Sequence, residues 1–239
     1  GFALIICPGL PSMPDSSNLS LFAEQGFFVF HFRYRGTWES EGEFLEFNPT
    51  EDIKEIIKLI KNKKCTELYN LSEIQFPKLK IVLIGSSFGG SVALCSSEIE
   101  NVLAVVSLCP VVDFKKQGDD GKEQKLKKLG RFLKDAYGKC YNFKQQQYDK
   151  LLEGKLLRPY DHTKTKTPIL IICGEKDTTV NPDKVKTYYH LLSTPKKKFI
   201  TIKNKGHISC KDLQKKTINK INSWLDMPLQ EQPFLERKE

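Results

Sequence analysis

The chain has 239 residues, of which 39% are hydrophobic, enough for one α/β domain with a sizeable core. No segment approaches the roughly 20 consecutive apolar residues needed to cross a bilayer. The seven cysteines are scattered and show neither CxxC nor zinc-ligand spacing. We therefore expect a soluble, cytoplasmic protein with buried free thiols, no structural metal and no cofactor.

The formal net charge of +9 is concentrated in two segments. Residues 115–144 hold ten basic and four acidic residues, and residues 195–220 hold nine basic residues and one acidic residue. Solvated lysine-rich faces are the ordinary interpretation, but such segregation also attracts an anionic substrate or surface. Nucleic-acid binding is disfavoured because the lysine runs lack interleaved aromatic residues and any known binding motif.

Apolar runs of strand length recur along the chain and are separated by segments with helical periodicity. The runs do not alternate with polar residues, which predicts strands buried on both faces of a parallel sheet wound by right-handed crossovers. The predicted strands are 3–7, 27–32, 80–84, 102–108, 169–173 and 199–202, and the predicted helices are 16–25, 50–61, 88–98, 182–192 and 209–225. An asparagine followed by proline marks two helix starts, at Asn48 and Asn181.

One connection is much longer than a crossover helix requires. Residues 113–167 separate two predicted strands, and LKKLGRFLKDAYG and QQQYDKLLEG within them have the periodicity of amphipathic helices. We predict an α/β core formed by residues 1–112 and 168–239, with residues 113–167 inserted as a helical cap over the carboxyl edge of the sheet.

The segment IVLIGSSFGG places Ser87 between a buried strand and a helix. A serine on such a tight turn projects its hydroxyl away from the sheet, and the flanking Gly85 and Gly89 relieve crowding in a strained backbone. GxSxG alone has an appreciable chance frequency, so the strand–turn–helix context carries the argument. Ser87 is our candidate nucleophile.

A serine nucleophile needs a base, and the base needs an orienting carboxylate. His207 lies in KNKGHIS after the last predicted strand, where Gly206 allows a sharp turn back toward Ser87. The remaining histidines have positions typical of packed, pocket-lining or surface residues: His31, His162 and His190. His207 is therefore the candidate general base.

Asp177, in IICGEKDTTVNP after the preceding strand, is the candidate acid. The chain order Ser87, Asp177, His207 is the order of the nucleophile-elbow hydrolases, and all three follow strands at the sheet edge where ligands of α/β proteins bind. Three other carboxylates remain as alternatives: Glu175, Asp183 and, one strand earlier, Asp113.

Stabilising an oxyanion requires preorganised donors, usually backbone amides. The amide of Phe88, directly after the nucleophile, is one candidate. The loop CPGLP supplies the other through Leu10, because Pro8 and Pro11 have no amide hydrogen.

The segments CPGLP, FRYRGTWESEGEF, IGSSFGG, ICGEKDTTVNP and KNKGHIS resemble the α/β-hydrolase superfamily, in particular small serine esterases and aminopeptidase-like relatives of prolyl oligopeptidase. The resemblance covers nearly all of the chain outside the cap. It implies an α/β-hydrolase fold, with a mostly parallel sheet of about six strands and helices on both faces. Members commonly carry histidine where Cys7 and Pro8 stand here, and the first strand corresponds to the family's third.

Two residues of FRYRGTW have alternative roles. Trp38 is a candidate substrate-binding residue in the pocket wall. Arg35 either pairs with a substrate anion or holds its own loop in place, and we favour the second interpretation.

The sequence as a whole predicts a serine hydrolase that cleaves an ester, thioester or small amide through an acyl-enzyme. Its expected partner is a small-molecule acyl substrate, including an anionic one such as a coenzyme A thioester; a non-catalytic binding or regulatory protein of the same fold is the alternative.

Overall fold

A six-stranded sheet forms the centre of the molecule. The computed structural model describes residues 1–13, 19–67, 70–119, 121 and 123–225. Its strands are β1 (Phe2–Cys7), β2 (Phe27–His31), β3 (Lys64–Thr66), β4 (Glu73–Gln75), β5 (Lys80–Ser86), β6 (Val102–Leu108), β7 (Ile169–Gly174) and β8 (Lys197–Ile202). The six longer strands pair in parallel in the order β2-β1-β5-β6-β7-β8, and β3 and β4 form a separate antiparallel pair. The predicted parallel sheet is confirmed.

The described residues form seven α-helices that connect or flank the strands. They are α1 (Leu19–Ala23), α2 (Thr50–Lys61), α3 (Phe88–Cys95), α4 (Leu126–Tyr137), α5 (Gln145–Leu152), α6 (Pro182–Leu191) and α7 (Lys215–Leu225). Right-handed crossovers and this strand order place α2, α3 and α6 on one face of the sheet and α1 on the other. The side chain of Asn222 on α7 donates a 2.9 Å hydrogen bond to Gln25, just after α1, so α7 shares the face of α1. No helix among the described residues is both long and apolar enough to span a membrane.

The predicted helix starts have a common capping geometry. The side-chain oxygen of Asn181 accepts a 2.9 Å hydrogen bond from the amide of Asp183, and that of Asn48 accepts a 3.1 Å bond from the amide of Thr50. Each bond satisfies an amide that the first helical turn leaves unpaired.

Several predicted boundaries were wrong. The helix predicted over 209–225 is a short 3₁₀ turn, Cys210–Asp212, followed by α7, and the helix predicted to 98 ends at Cys95. Of the helix predicted over 16–25, residues 16–18 lie outside the described residues. The β3–β4 pair was not predicted, because three-residue strands form no apolar run.

The core lies on both sides of the central strands. β1, β5 and β7 are buried along almost their whole length, as expected for strands covered on both faces. The edge strand β8 is only half-buried and begins with two lysines, which discourage further pairing at the edge.

Helices α4 and α5 lie in the connection between β6 and β7. They pack on each other through the ring of Tyr148, whose hydroxyl donates to the carbonyl of Leu126 at 2.8 Å. Residues 140–143 form backbone hydrogen bonds with the loop after β2. The amide of Trp38 donates to the carbonyl of Cys140, and the amide of Phe44 donates to the carbonyl of Asn142. The long connection thus contacts the carboxyl edge of the sheet, and its treatment as a cap separate from the core stays a prediction.

Candidate active site

Ser87 lies on a sharp turn between β5 and α3. Its backbone has φ 55° and ψ −118°, a conformation that non-glycine residues seldom adopt and that stores strain at functional sites. The turn is held to the neighbouring strand, since the Ser87 amide donates a 2.8 Å hydrogen bond to the carbonyl of Leu108 at the end of β6. This is the geometry predicted for a serine whose hydroxyl faces away from the sheet.

Gly89 brings the loop after β1 close to this turn. A Cβ at Gly89 would lie 2.0 Å from the carbonyl oxygen of Cys7 and 2.4 Å from that of Pro8. Only glycine allows that approach, so the glycine after the nucleophile is explained by packing of α3 against the first loop. The same loop continues past Ser87, because a Cβ at Gly9 would lie 3.6 Å from the Ser87 Cβ.

Asp177 and His207 meet at the ends of β7 and β8. Nδ1 of His207 lies 2.8 Å from Oδ2 of Asp177. The other carboxylate oxygen, Oδ1, accepts hydrogen bonds from the amides of Thr179 at 2.8 Å and Val180 at 3.0 Å. The Asp177 side chain is 1% exposed and that of His207 is 25% exposed, so a fixed, buried carboxylate holds an imidazole that reaches solvent.

Each partner of this pair shifts the titration of the other. Burial is the largest single influence on Asp177 and favours its neutral form, but the hydrogen bond and charge of His207 together with the hydrogen bonds from Val180 and Cys109 lower its pKa. Burial also favours neutral His207, yet its hydrogen bonds with Asp177 and Cys109 raise its pKa from 6.5 to about 9. The pair therefore favours a charged carboxylate beside a proton-binding imidazole.

A cavity of about 380 Å³ brings these groups to one place. Its lining includes Ser87, His207, His31 and the loop from Gly9 to Met13. The rest of the described lining combines an apolar wall that includes Ile6, Leu19 and Phe22 with the polar segment that contains Ser209, Lys211 and Asp212. Ser87 and His207 thus face one cavity, with Asp177 behind the imidazole.

The two candidate oxyanion residues have different surroundings. Leu10 lines the cavity and belongs to the loop that passes Ser87. The Phe88 side chain is 2% exposed and packs edge-on against Tyr34 and Phe114, so only its backbone amide remains a candidate for the site. Tyr34 also donates a 3.0 Å hydrogen bond to the carbonyl of Pro8, fixing the start of the loop.

The structure places the alternative carboxylates away from the imidazole. Asp113 accepts from the amides of Lys115 and Lys116, and Glu175 accepts from the amide of Asn204. Asp183 lies exposed in the first turn of α6. Of the four carboxylates considered, Asp177 is the one hydrogen-bonded to His207.

The other histidines have separate surroundings. His31 lines the cavity, whereas His162 pairs with Glu98 at 2.8 Å and His190 is exposed on α6. His207 is the histidine that is hydrogen-bonded to Asp177.

Arg35 and Trp38 belong to the loop that follows β2. The Arg35 guanidinium pairs with Asp52 at 3.2 Å and lies over the ring of Phe47, an arrangement that holds the loop. Trp38 packs edge-on against Tyr137 of α4, with ring centroids 6.0 Å apart, and is outside the described lining of the cavity.

Cys109 is a neighbour of the pair that the sequence did not single out. It follows β6 with φ 43° and is fully buried, and its Sγ accepts a 3.4 Å hydrogen bond from the amide of Ile208. Hydrogen bonds with Cys173 and then His207 lower its pKa although burial opposes this. The available signal was its position directly after a central strand, on the edge that carries the site.

The parallel sheet, the strained serine turn and the Asp–His pair at its carboxyl edge define an α/β-hydrolase. The sequence profile of the prolyl oligopeptidase family matches residues 13–232, nearly the whole chain. The protein therefore belongs to the prolyl oligopeptidase family, a family of hydrolases. No curated protein sequence matches it significantly.

Solved structures share this fold at low identity. DcsB in complex with its substrate analogue has a TM-score of 0.68 at 22% identity, over 95% of this chain and 90% of its own. An esterase from Pyrococcus furiosus, Pf2001, has 0.66 at 19% identity, over 94% of this chain and 82% of its own. Est1E from Butyrivibrio proteoclasticus, with ferulic acid bound, has 0.63 at 15% identity, over 92% and 86%.

Proposed function

We propose that the protein is a serine hydrolase that cleaves a carboxylic ester, thioester or small amide through an acyl-enzyme. The observation that carries this proposal is the 2.8 Å contact between His207 and Asp177 at a cavity that Ser87 also lines from its strained turn. A nucleophile, a base and an orienting carboxylate are the groups that acyl transfer requires.

In this mechanism the Ser87 hydroxyl attacks the substrate carbonyl while Nε2 of His207 accepts its proton. Asp177 holds the imidazole through Nδ1 and stabilises the positive charge that develops. The amides of Leu10 and Phe88 donate to the oxyanion of the tetrahedral intermediate. His207 then protonates the leaving group, and water activated by the same imidazole releases the acyl group from Ser87.

The cavity favours an apolar acyl group. Ile6, Leu19 and Phe22 contribute apolar surface to its wall, and these side chains gain by excluding water around a hydrocarbon or aromatic acid. The esterase from Pyrococcus furiosus and Est1E with ferulic acid share the fold, which supports an ester of such an acid as the first substrate to assay.

The basic surface of α4 extends the proposal to the leaving group. Among its exposed side chains are four cations and one anion: Lys127, Lys128, Arg131, Lys134 and Asp135. Trp38 packs against Tyr137 of α4 and lies outside the described cavity lining. As a substrate-binding residue, Trp38 would therefore contact the leaving group rather than the acyl group. An anionic carrier such as a coenzyme A thioester fits this charge.

A fluorophosphonate probe tests the nucleophile directly. The folded protein is treated with probe, and the labelled peptide is identified by mass spectrometry. We expect labelling at Ser87, loss of labelling and ester hydrolysis in S87A, and labelling retained in S86A, which removes the adjacent serine. An unlabelled Ser87 in folded protein would instead favour a non-catalytic binding protein of the same fold.

A further inference from the structure

Cys109 is a buried nucleophilic group that the proposed mechanism does not use. Its sulfur lies beneath the His207 loop, where the amide of Ile208 donates to it at 3.4 Å. It also hydrogen-bonds with Cys173, near the carboxyl end of the neighbouring strand β7. The side chain of Cys109 is thus held in one place, beside the Asp177–His207 pair.

Cys109, Asp177 and His207 converge from the ends of three consecutive strands of the sheet. One donor atom from each residue, the thiol sulfur, a carboxylate oxygen and a ring nitrogen, lies within 4.8 Å of the other two. Among the described residues this is the one group of three such side chains close enough to share a metal ion.

We infer that Cys109, Asp177 and His207 form an inhibitory binding site for a thiophilic divalent metal ion of the Zn²⁺ class. A set of one sulfur, one nitrogen and one oxygen suits zinc, and three protein ligands leave the fourth tetrahedral position to water. Zinc bonds of about 2.0–2.3 Å at tetrahedral angles separate ligand atoms by roughly 3.3–3.6 Å. Binding therefore draws the thiol inward and widens the 2.8 Å contact between Nδ1 of His207 and Oδ2 of Asp177. Hard cations such as Mg²⁺ prefer oxygen ligands and are excluded by the sulfur.

Metal binding and catalysis compete for Nδ1 of His207. The bound form has a metal–sulfur, a metal–nitrogen and a metal–oxygen bond. The thiol proton and the Nδ1 proton of the His207 imidazolium pass to solvent, and the neutral ring that coordinates through Nδ1 keeps its other proton on Nε2. Nδ1 then no longer donates to Asp177, and Nε2 carries the proton of the neutral ring, so it has no lone pair for the proton of Ser87. Because His207 is then unable to accept the Ser87 proton, the inhibitory effect rests on the proposed function, whereas the binding itself does not.

The ion reaches the site through the cavity. His207 lines the cavity and a quarter of its side chain is exposed, whereas the side chains of Asp177 and Cys109 are almost completely buried behind it. Rotation of the imidazole admits the ion to the buried donors. The site is therefore accessible in the folded protein without unfolding of the sheet.

Cobalt binding to the S87A variant tests the site without requiring activity. Co²⁺ bound to a thiolate gives a near-ultraviolet charge-transfer band and, in tetrahedral geometry, strong visible bands. We expect both in chelator-treated S87A, their displacement by Zn²⁺, and loss of the charge-transfer band in S87A/C109S. C65S in the same background removes a partly exposed thiol on β3 and serves as the matched control, which should retain the bands.

A second variant and an activity assay complete the test. S87A/H207A keeps the thiol and should bind Co²⁺ at least ~10–100-fold more weakly, the loss that even an outer-shell partner causes. In the active protein Zn²⁺ should inhibit ester hydrolysis, and C109S should need a half-inhibitory concentration roughly tenfold higher or more. Retention of the charge-transfer band in S87A/C109S, or equal zinc sensitivity of C109S, would overturn the inference. If S87A lacks the band while the fluorophosphonate labels the wild type, the metal site is overturned and the proposed function stands. If S87A shows the band but the wild type is not labelled, the proposed function is overturned and the inhibitory role of the metal falls with it.

Discussion

The hydroxyl of Tyr141 lies 2.9 Å from the amide nitrogen of Ser12 and 2.8 Å from its Oγ, so the long connection between β6 and β7 holds the loop that carries Leu10. Ser12 is 1% exposed and Tyr141 is 3% exposed, which leaves no room for water to replace this contact. At the other end of the loop, Tyr34 donates to the carbonyl of Pro8. The candidate oxyanion amide therefore lies in a segment fixed on both sides by buried tyrosines.

Y141F should lower kcat with little change in KM. Without the phenolic oxygen, the buried Ser12 amide loses its acceptor, at a cost of about 1–3 kcal/mol that the loop relieves by moving. Displacement of the Leu10 amide weakens a contact made mainly in the transition state, which reduces kcat rather than substrate binding. Steady-state kinetics on an ester, beside thermal unfolding, gives the measurement.

Y148F is the matched control for this variant. Tyr148 is equally buried, and its hydroxyl donates to the carbonyl of Leu126 within the same connection. It should lose comparable stability and keep its kcat. If Y141F and Y148F lose activity in parallel, the effect of Tyr141 is one of stability and the loop is not positioned by it.

The main features of the fold could be predicted because each has a local signature. Strands buried on both faces are continuous apolar runs, and a serine between such a strand and a helix marks the turn at Ser87. The contact between Asp177 and His207 could be predicted because both residues directly follow strands that share one edge of the sheet.

The contacts of single side chains across the fold could not be predicted. Cys109 in SLCP has the same apolar neighbours in sequence as an ordinary core thiol, so nothing local shows that it meets His207. Tyr141 likewise belongs to no periodic pattern that would link it to Ser12. Gly206 was expected to be required by a sharp turn, but a Cβ there would meet nothing nearer than 3.8 Å, whereas one at Gly174 would lie 1.9 Å from the Gly206 carbonyl oxygen. Glycine is therefore required at position 174, where the end of β7 closely approaches the loop that carries His207.

Activity should rise with pH across the pKa of His207. The general base must be neutral, and interaction with Asp177 and Cys109 against the effect of burial raises its pKa from 6.5 to about 9. The acid limb of kcat/KM should therefore lie above pH 6.5. D177N removes the negative charge that favours the protonated imidazole, so the limb should move to lower pH while the maximum rate falls.

D113N provides the comparison for the pH profile, because Asp113 was the alternative acid and lies against Lys115 and Lys116 instead. Its limb should coincide with that of the wild type. A shift in D113N with none in D177N would reassign the carboxylate.

The raised pKa of His207 also affects stability. The imidazolium stabilises the fold fully below about pH 6.5, and this stabilisation is lost as pH rises toward 9.

G89A should disrupt the site far more than G206A. The added methyl would overlap the carbonyl oxygens of Cys7 and Pro8, both of them backbone atoms that move only with the loop. We expect a loss of about 1–3 kcal/mol or more in the free energy of unfolding, with loss of fluorophosphonate labelling in the protein that remains folded. G206A, beside His207 but with space for a methyl, should remain close to the wild type in urea unfolding. Equal behaviour of the two variants would contradict the packing argument.

Salt dependence tests whether the basic helix α4 attracts an anionic leaving group. K127E/R131E/K134E reverses three exposed cations, and kcat/KM for an acyl-CoA thioester should fall at low salt while that for a neutral ester stays constant. Raising the salt toward 1 M shortens the Debye length to about 3 Å and should remove the difference between variant and wild type. K54E/K58E/K61E makes the same charge change on α2, where each lysine already pairs with a glutamate, and should leave the preference for the thioester unaltered. Equal losses in the two triple variants would indicate an effect of net charge alone, and α4 would then have no part in substrate selection.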